Sequence, residues 1–117
     1  MADRRNTALT VSSRSEGRAV IITAVGDVDL TASPILRQEL KKVQAGKPFR
    51  LVVDLGGVGY MDSSGLATLV EAMQQARKTS SVVILCALTD RVRSIFEIAR
   101  LDSVFTITSN LEEALAK

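Results

Sequence analysis

The 117-residue chain is predicted to form an α/β domain on a mixed β-sheet, with an antiparallel hairpin at one edge and parallel strands in the centre. Two strand-like segments lie next to each other near the start, and from residue 30 onwards apolar strands alternate with amphipathic helices. The composition, 46% apolar and 24% charged, is that of a chain able to bury a core. We expect one domain over residues 1–117, about four flanking helices, and a flexible segment at residues 1–7.

The edge hairpin is predicted from two segments that differ in character. Leu9 and Val11 alternate with polar neighbours, as in a half-exposed strand, and residues 19–25 form a largely β-branched run. Glu16 and Gly17 supply a plausible turn between them. These features indicate an antiparallel pair at the edge of the sheet.

The first helix is expected to begin at Ser33 and Pro34, a capping hydroxyl followed by proline at the first helical position. Gly46 and Pro48 are expected to end it. Helical spacing places four apolar side chains on the inward face, namely Ile35, Leu36, Leu40 and Val43.

The central strand and the second helix follow. Residues 49–55 are nearly all apolar, which predicts a strand covered on both faces, and the strand runs into a glycine-rich loop. From Ser64 to about Lys78 an apolar stripe predicts a helix with one core-facing side, formed by Leu66, Leu69, Val70, Met73 and Ala76.

The last third of the chain predicts two more strand–helix units. Residues 82–88 form a buried strand that contains Cys86, the only cysteine, which we assign to the core. Asp90 is the expected N-cap of a third helix, with Val92, Ile95, Phe96 and Ala99 facing inward. Residues 105–108 form a short last strand, and Asn110 with Glu113 resembles the capping box of a final helix.

Catalytic motifs are missing from the sequence. Because there is no histidine, neither a Ser-His-Asp nor a Cys-His arrangement can form. Asp62 occupies the third glycine position of a dinucleotide fingerprint that begins at Gly57, and its carboxylate would repel a pyrophosphate. We therefore predict no enzyme, no catalytic residue, no cofactor and no metal site, since the remaining candidate ligands are scattered carboxylates, Asp27, Asp29, Asp54 and Asp62.

Nucleic-acid and membrane functions also find little support. The net charge is only +2, the charges are spread along the chain, and three Phe and one Tyr are too few for a base-stacking surface. The longest apolar run covers residues 82–88, far shorter than the roughly 20 residues needed to cross a bilayer as a helix. The N-terminus does not read as a secretory signal, so we expect a cytoplasmic location and no direct membrane insertion.

The loop that leads into the second helix has the character of a switch. A phosphate on Ser63 would add roughly −1.5 to −2 charge in the first turn of a helix. The alternative is that residues 62–64 only cap the helix, which contributes about 1 kcal/mol. Tyr60 and Met61 are candidate exposed contacts, although Met61 fits equally well beneath the helix.

A family resemblance rests on several motifs in order. Residues 62–66, Asp-Ser-Ser-Gly-Leu, resemble the signature of the STAS domain family, specifically of bacterial anti-sigma factor antagonists. Residues 26–29, 52–55 and 90–102 resemble other stretches of the family, and the likeness covers about residues 8–116. Ala67 stands where sporulation members often have glycine, which leaves the branch of the family open.

The resemblance implies a STAS fold and a protein regulated by phosphorylation. Ser63 matches the phosphoacceptor, with Ser64 as second choice. The unmodified form would bind an anti-sigma factor that is also a serine kinase, and so free a sigma factor. Phosphorylation would end binding and a serine phosphatase would restore it. The expected partner surface consists of Asp29, Tyr60, Met61, Asp62, Ser63, Ser64 and Gly65.

Two other roles for a STAS protein remain open. One is an accessory subunit of a membrane lipid-transport complex, in which the serine is structural. The other is a scaffold subunit of a large stress-signalling assembly, which would form high-mass particles. The antagonist hypothesis predicts instead a monomer or weak dimer.

Overall fold

The computed structural model describes residues 8–117, so the flexibility predicted for residues 1–7 lies outside the described residues. Five strands and four helices follow one another in the order β1 Thr10–Glu16, β2 Ala19–Val25, α1 Ser33–Ala45, β3 Arg50–Gly57, α2 Ser63–Lys78, β4 Val82–Cys86, α3 Asp90–Ile98, β5 Thr106–Thr108 and α4 Leu111–Ala116. Among these residues no helix has both the length and the apolar character needed to span a bilayer.

The predicted mixed sheet is confirmed. Its strand order is β1-β2-β3-β4-β5, with β1 antiparallel to β2 and every later pair parallel. The turn between β1 and β2 contains Gly17 at φ +62°, a left-handed conformation that glycine adopts without strain. Because β2 to β4 are parallel, the loops after β2 and β3 leave from the same edge of the sheet, and both lead to a helix start.

Alternation along the strands divides the core between the two faces of the sheet. On one face Leu51, Val53 and Leu55 of β3 join the buried side chains of α1, α2 and α3. On the other face Val52 packs with Ile21, Ile84, Cys86 and Ala114, and α4 covers this smaller cluster. Cys86 therefore lies in the core, as predicted.

The helix starts differ from the sequence prediction in detail. Ser33 is not the N-cap of α1, because it is already helical and buried. Ala32 holds the cap position, and the backbone carbonyl of Asp29 accepts hydrogen bonds from the N–H groups of Ala32 and Ser33, at 3.1 and 2.8 Å. The prediction that Asp90 caps α3 is also wrong, because Thr89 holds the N-cap position. The Thr89 hydroxyl donates to Val58 O at 3.0 Å.

The cap of the last helix follows the prediction. Asn110 Oδ1 accepts from the N–H of Glu113 at 2.8 Å, as in a capping box. The returning bond differs in one residue, because Glu113 Oε1 accepts from the N–H of Ser109, at 3.0 Å, and not from that of Asn110.

Several predicted burials and boundaries are wrong for local reasons. Ile35 is 47% exposed, because it lies about 100° around the helix from Leu36 and so falls outside the inward stripe. Ala99 follows the end of α3 and is exposed. Phe49 precedes β3 and is 46% exposed. Strand β4 ends at Cys86, because Ala87 has φ +62° and leaves the extended conformation.

Candidate functional site

The loop after β2 lies directly against the start of α2. Val28 and Met61 form an isolated parallel bridge, in which the N–H of Val28 donates to Tyr60 O at 2.9 Å and the N–H of Asp62 donates to Val28 O at 3.1 Å. This contact places the loop that carries Asp29 beside the loop that carries Asp62 and Ser63. The bridge brings together chain segments about 30 residues apart at one edge of the sheet.

The carboxylate of Asp62 connects the two loops and caps α2. Its Oδ1 accepts from the N–H and the hydroxyl of Ser64, at 2.9 and 2.5 Å, and more distantly from the N–H of Gly65, at 3.4 Å. Its Oδ2 accepts from the N–H of Leu30 in the opposite loop, at 2.9 Å. The hydrogen bond from the Ser64 hydroxyl is the main cause that lowers the pKa of Asp62, and the backbone N–H groups act in the same direction against desolvation. Asp62 is thus held in its charged form.

The two serines of the loop occupy different positions. Ser63 is the first residue of α2 and is exposed, whereas Ser64 is half-buried. The Ser64 hydroxyl donates to Asp62, and the Ser64 carbonyl accepts from the hydroxyl of Thr68 at 2.8 Å. Among residues 8–117, the Ser64 hydroxyl is therefore engaged in a hydrogen bond, whereas the Ser63 side chain lies at the surface.

Two residues of the expected partner surface are buried. Met61 has no exposed area, and Gly65 is also inaccessible, so neither offers a direct contact. A Cβ atom on Gly65 would lie 2.6 Å from Met61 Cγ and 2.9 Å from Val28 Cγ1. Gly65 is required because the helix start packs closely on these two side chains, and Met61 forms the base of the loop.

The other expected contacts stay accessible, and one further residue joins them. Tyr60 is 38% exposed, and Asp29 is half-buried with its Oδ1 accepting from the N–H of Ala32 at 2.9 Å. Leu30, which the sequence analysis missed, is 75% exposed beside the site. Its signal was a leucine between polar residues, Asp29 and Thr31, in a short loop.

The electrostatics of the site are unfavourable for an added phosphate on the protein itself. Helix N-termini normally stabilise anions through free N–H groups. Here the N–H groups of Ser64 and Gly65 already donate to Asp62, so these two groups contribute little to stabilising a phosphate. Within residues 8–117 no group of three or more acidic, Cys or His side chains is arranged to bind a metal.

The fold and the loop identify the family. The family model of the STAS domain matches residues 10–114, nearly the whole described chain. The protein therefore belongs to the STAS domain family.

Relatives and solved structures are similar to this chain over most of their length. The chain is 31% identical over 102 residues to the "Anti-sigma-B factor antagonist" of Listeria monocytogenes, covering 87% of this chain and 89% of that protein. An anti-sigma factor antagonist from Mycobacterium paratuberculosis superposes with a TM-score of 0.88 at 24% identity, over 95% and 94% of the two chains. The Bacillus protein SpoIIAA, solved in its phosphorylated form, gives a TM-score of 0.72 at 19% identity, over 92% and 97%.

Proposed function

We propose that this chain is an anti-sigma factor antagonist whose interaction with its anti-sigma factor is controlled by phosphorylation of Ser63. The observation that carries the proposal is the contrast between the two serines: Ser63 is exposed at the first position of α2, whereas Ser64 is bound to Asp62. The relative of Listeria monocytogenes named as an anti-sigma-B factor antagonist supports the functional class. The phosphorylated form of SpoIIAA supports regulation by phosphate.

In its unmodified form the protein binds the anti-sigma factor in the cytoplasm and frees a sigma factor. The surface we assign to this contact surrounds Ser63 and includes Leu30 and Tyr60, exposed by 75% and 38%. Exposed large apolar side chains of this kind supply binding energy when a partner removes them from water. The half-buried carboxylates of Asp29 and Asp62 give the same surface a negative charge.

The anti-sigma factor acts as the kinase. It holds ATP and magnesium, and the Ser63 Oγ attacks the γ-phosphorus. The bond from that phosphorus to the β–γ bridging oxygen breaks, ADP leaves, and the hydroxyl proton passes to a base on the kinase. A serine phosphatase reverses the change by hydrolysing the phosphate ester with water. The antagonist contributes no catalytic group, and it is the substrate and the binding protein of this cycle.

A phosphate on Ser63 would act on the interface more than on the fold. It adds roughly −1.5 to −2 charge next to the Asp62 carboxylate, while the nearest helix N–H groups are engaged by that carboxylate. The phosphate therefore stays hydrated and points outward from an exposed position. Desolvating three negative groups against a partner fitted to a neutral hydroxyl is unfavourable, so the complex dissociates.

The proposal is tested by affinity capture with the unmodified protein and with the Ser63→Glu variant. We expect the unmodified protein to retain a kinase-type anti-sigma factor, and Ser63→Glu to bind it about a hundredfold more weakly, because like charges at an interface cost several kcal/mol. Ser103→Glu, an equal charge change at an exposed serine between α3 and β5, serves as the control and should bind normally. Equal affinity of Ser63→Glu and the control for the anti-sigma factor would contradict the proposal.

The same capture distinguishes the alternative roles. Retention of a transporter subunit by all three proteins would favour the lipid-transport complex, in which Ser63 is structural. Size-exclusion chromatography separates the scaffold hypothesis, because an antagonist elutes as a monomer or weak dimer and a scaffold subunit as a high-mass particle.

A further inference from the structure

We call residues 58–64, which lead from β3 into the start of α2, the switch loop. A groove between α1 and α2 starts beside this loop and runs along both helices. Its main part has a volume of about 490 Å³ and extends from Arg37 to Lys78. A smaller recess of about 300 Å³ reaches Ser64 and shares Arg37, Thr68 and Glu71 with the main part. We call the two together the α1–α2 groove. It extends from the switch loop to the far ends of the two helices.

The groove is lined by both polar and apolar side chains, and most of its charged side chains are cationic. Among the described residues that line it, Arg37, Lys41 and Lys78 supply three positive charges and Glu71 the one carboxylate, which leaves a net charge of +2. Arg37 binds Glu71 with two hydrogen bonds, at 2.8 and 2.9 Å, so this carboxylate is already neutralised. Lys41 and Lys78 remain exposed for an external anion.

Amide groups complete the lining. Gln44 donates to the Ala72 carbonyl at 2.8 Å and is fixed, whereas Gln74 and Gln75 are exposed. Primary amides offer both donors and acceptors, which suits a polypeptide with carboxylate side chains and backbone groups better than an apolar ligand. The charged and amide groups of the groove therefore favour a negatively charged polypeptide segment.

Charge has opposite signs at the two ends of this surface. The half-buried carboxylates of Asp27 and Asp29, in the loop after β2, and of Asp62, in the switch loop, lie at one end, whereas Lys41 and Lys78 lie further along the helices. A partner must match both ends at once, and such a charge pattern fixes one docking orientation.

We propose that the α1–α2 groove binds a carboxylate-rich segment of the partner protein that engages Ser63. This inference rests on the proposed function, because it assumes that a protein docks at the switch loop. The segment holds the partner in register while its catalytic site reaches Ser63. A flat anionic surface is a poorer fit, since it would contact Lys42 and Arg77, on the same helices but outside the groove, as readily as the cations inside it.

A synthetic acidic peptide tests the groove directly. The probe is an alternating Glu-Ala peptide of about twelve residues, which spans ~18 Å as a helix, comparable to the length of α1. The titration is followed by amide NMR shifts of the full chain at about 0.15 M ionic strength, where exposed charges more than about 8 Å apart are largely screened. We expect saturable shifts at groove residues and at least about tenfold weaker binding to the double variant Lys41→Glu/Lys78→Glu.

The matched control is Lys42→Glu/Arg77→Glu. These residues are the sequence neighbours of Lys41 and Lys78, are exposed, and carry the same charge change outside the groove. The control should bind the peptide within about twofold of the parent protein. Equal weakening by the two double variants would overturn the proposal in favour of a nonspecific cationic surface. Stronger binding to phosphatidylglycerol vesicles than to the peptide would overturn it in favour of a membrane.

The peptide assay does not depend on the switch. If the peptide fails to bind but Ser63→Glu still loses the anti-sigma factor, the groove proposal fails and the proposed function stands. If the peptide binds the groove but Ser63→Glu keeps full affinity for the anti-sigma factor, the proposed switch fails while the groove still binds an acidic segment.

Discussion

Replacing Asp62 by asparagine and by alanine separates the two tasks of its carboxylate. Oδ1 caps α2, and Oδ2 holds the N–H of Leu30 in the neighbouring loop. Asparagine keeps one oxygen for the cap, because Asn and Asp are about equally good N-caps, but its amide nitrogen cannot accept from Leu30. Alanine removes both functions.

The expected losses in the free energy of unfolding follow from the hydrogen bonds of Asp62. A hydrogen bond to a charged group contributes about 1.5–3 kcal/mol, and because Leu30 is exposed and water can replace the bond, we expect Asp62→Asn to lower the free energy of unfolding by about 1–1.5 kcal/mol. Loss of the cap adds about 1 kcal/mol, so Asp62→Ala should lower the free energy of unfolding by about 2–2.5 kcal/mol. With a urea slope of about 2 kcal/mol/M, the midpoint should fall by about 0.5–0.75 M for Asp62→Asn and by about 1–1.25 M for Asp62→Ala.

The assay is urea unfolding of the parent and the two variants at pH 7, followed by circular dichroism. Asn110→Ala, which removes the N-cap of the short helix α4, provides a control for loss of a cap without loss of a loop connection. The reasoning would be refuted if Asp62→Asn matched the parent, because the Leu30 bond would then contribute nothing. Equal losses for Asp62→Asn and Asp62→Ala would refute the separation of the two tasks.

Four further predictions concern packing and titration. Gly65→Ala should lower the free energy of unfolding by about 1–2 kcal/mol in urea, because overpacking against Met61 outweighs the gain in helix propensity. Phe96→Ala, which removes a buried ring in edge contact with Phe105 at 5.6 Å, should cost about 3–5 kcal/mol in the same assay. Burial, assisted by a nearby carboxylate, raises the pKa of the Cys86 thiol from 9.0 to about 11. Alkylation of Cys86 should therefore be slow at pH 8. The free energy of unfolding should fall between pH 9 and 11, because only the unfolded thiol ionises in that range. Because the pKa of Asp62 is lowered, the parent should have a higher free energy of unfolding than Asp62→Asn above pH 3.8. This difference should disappear as the pH falls through the folded-state pKa of Asp62.

The sheet could be predicted from the sequence because its signals are local and strong. The hairpin had a turn at Gly17, and the alternation of strand and helix patterns predicted the parallel centre. The helix starts were harder. Ser33 has the right chemistry for a cap, but the Asp29 carbonyl and carboxylate already hold the preceding turn, and this depends on a loop conformation that spacing does not encode.

The geometry of the candidate site could not be predicted from the sequence. The sequence singled out residues 62–64 as candidates, but which hydroxyl lies at the surface depends on the hydrogen bond from Ser64 to Asp62. The burial of Met61 and the exposure of Leu30 depend on the bridge between two loops, a contact between distant parts of the chain. Periodicity does not report contacts of that kind.

The most direct test of the central claim is to phosphorylate the protein with its captured anti-sigma factor and ATP, locate the phosphate by peptide mass spectrometry, and measure the affinity of both forms by calorimetry. The account predicts one phosphate, on Ser63, and an affinity for the anti-sigma factor about a hundredfold lower for the phosphorylated form. A phosphate on Ser64 or elsewhere, or equal affinity of the two forms, would contradict it.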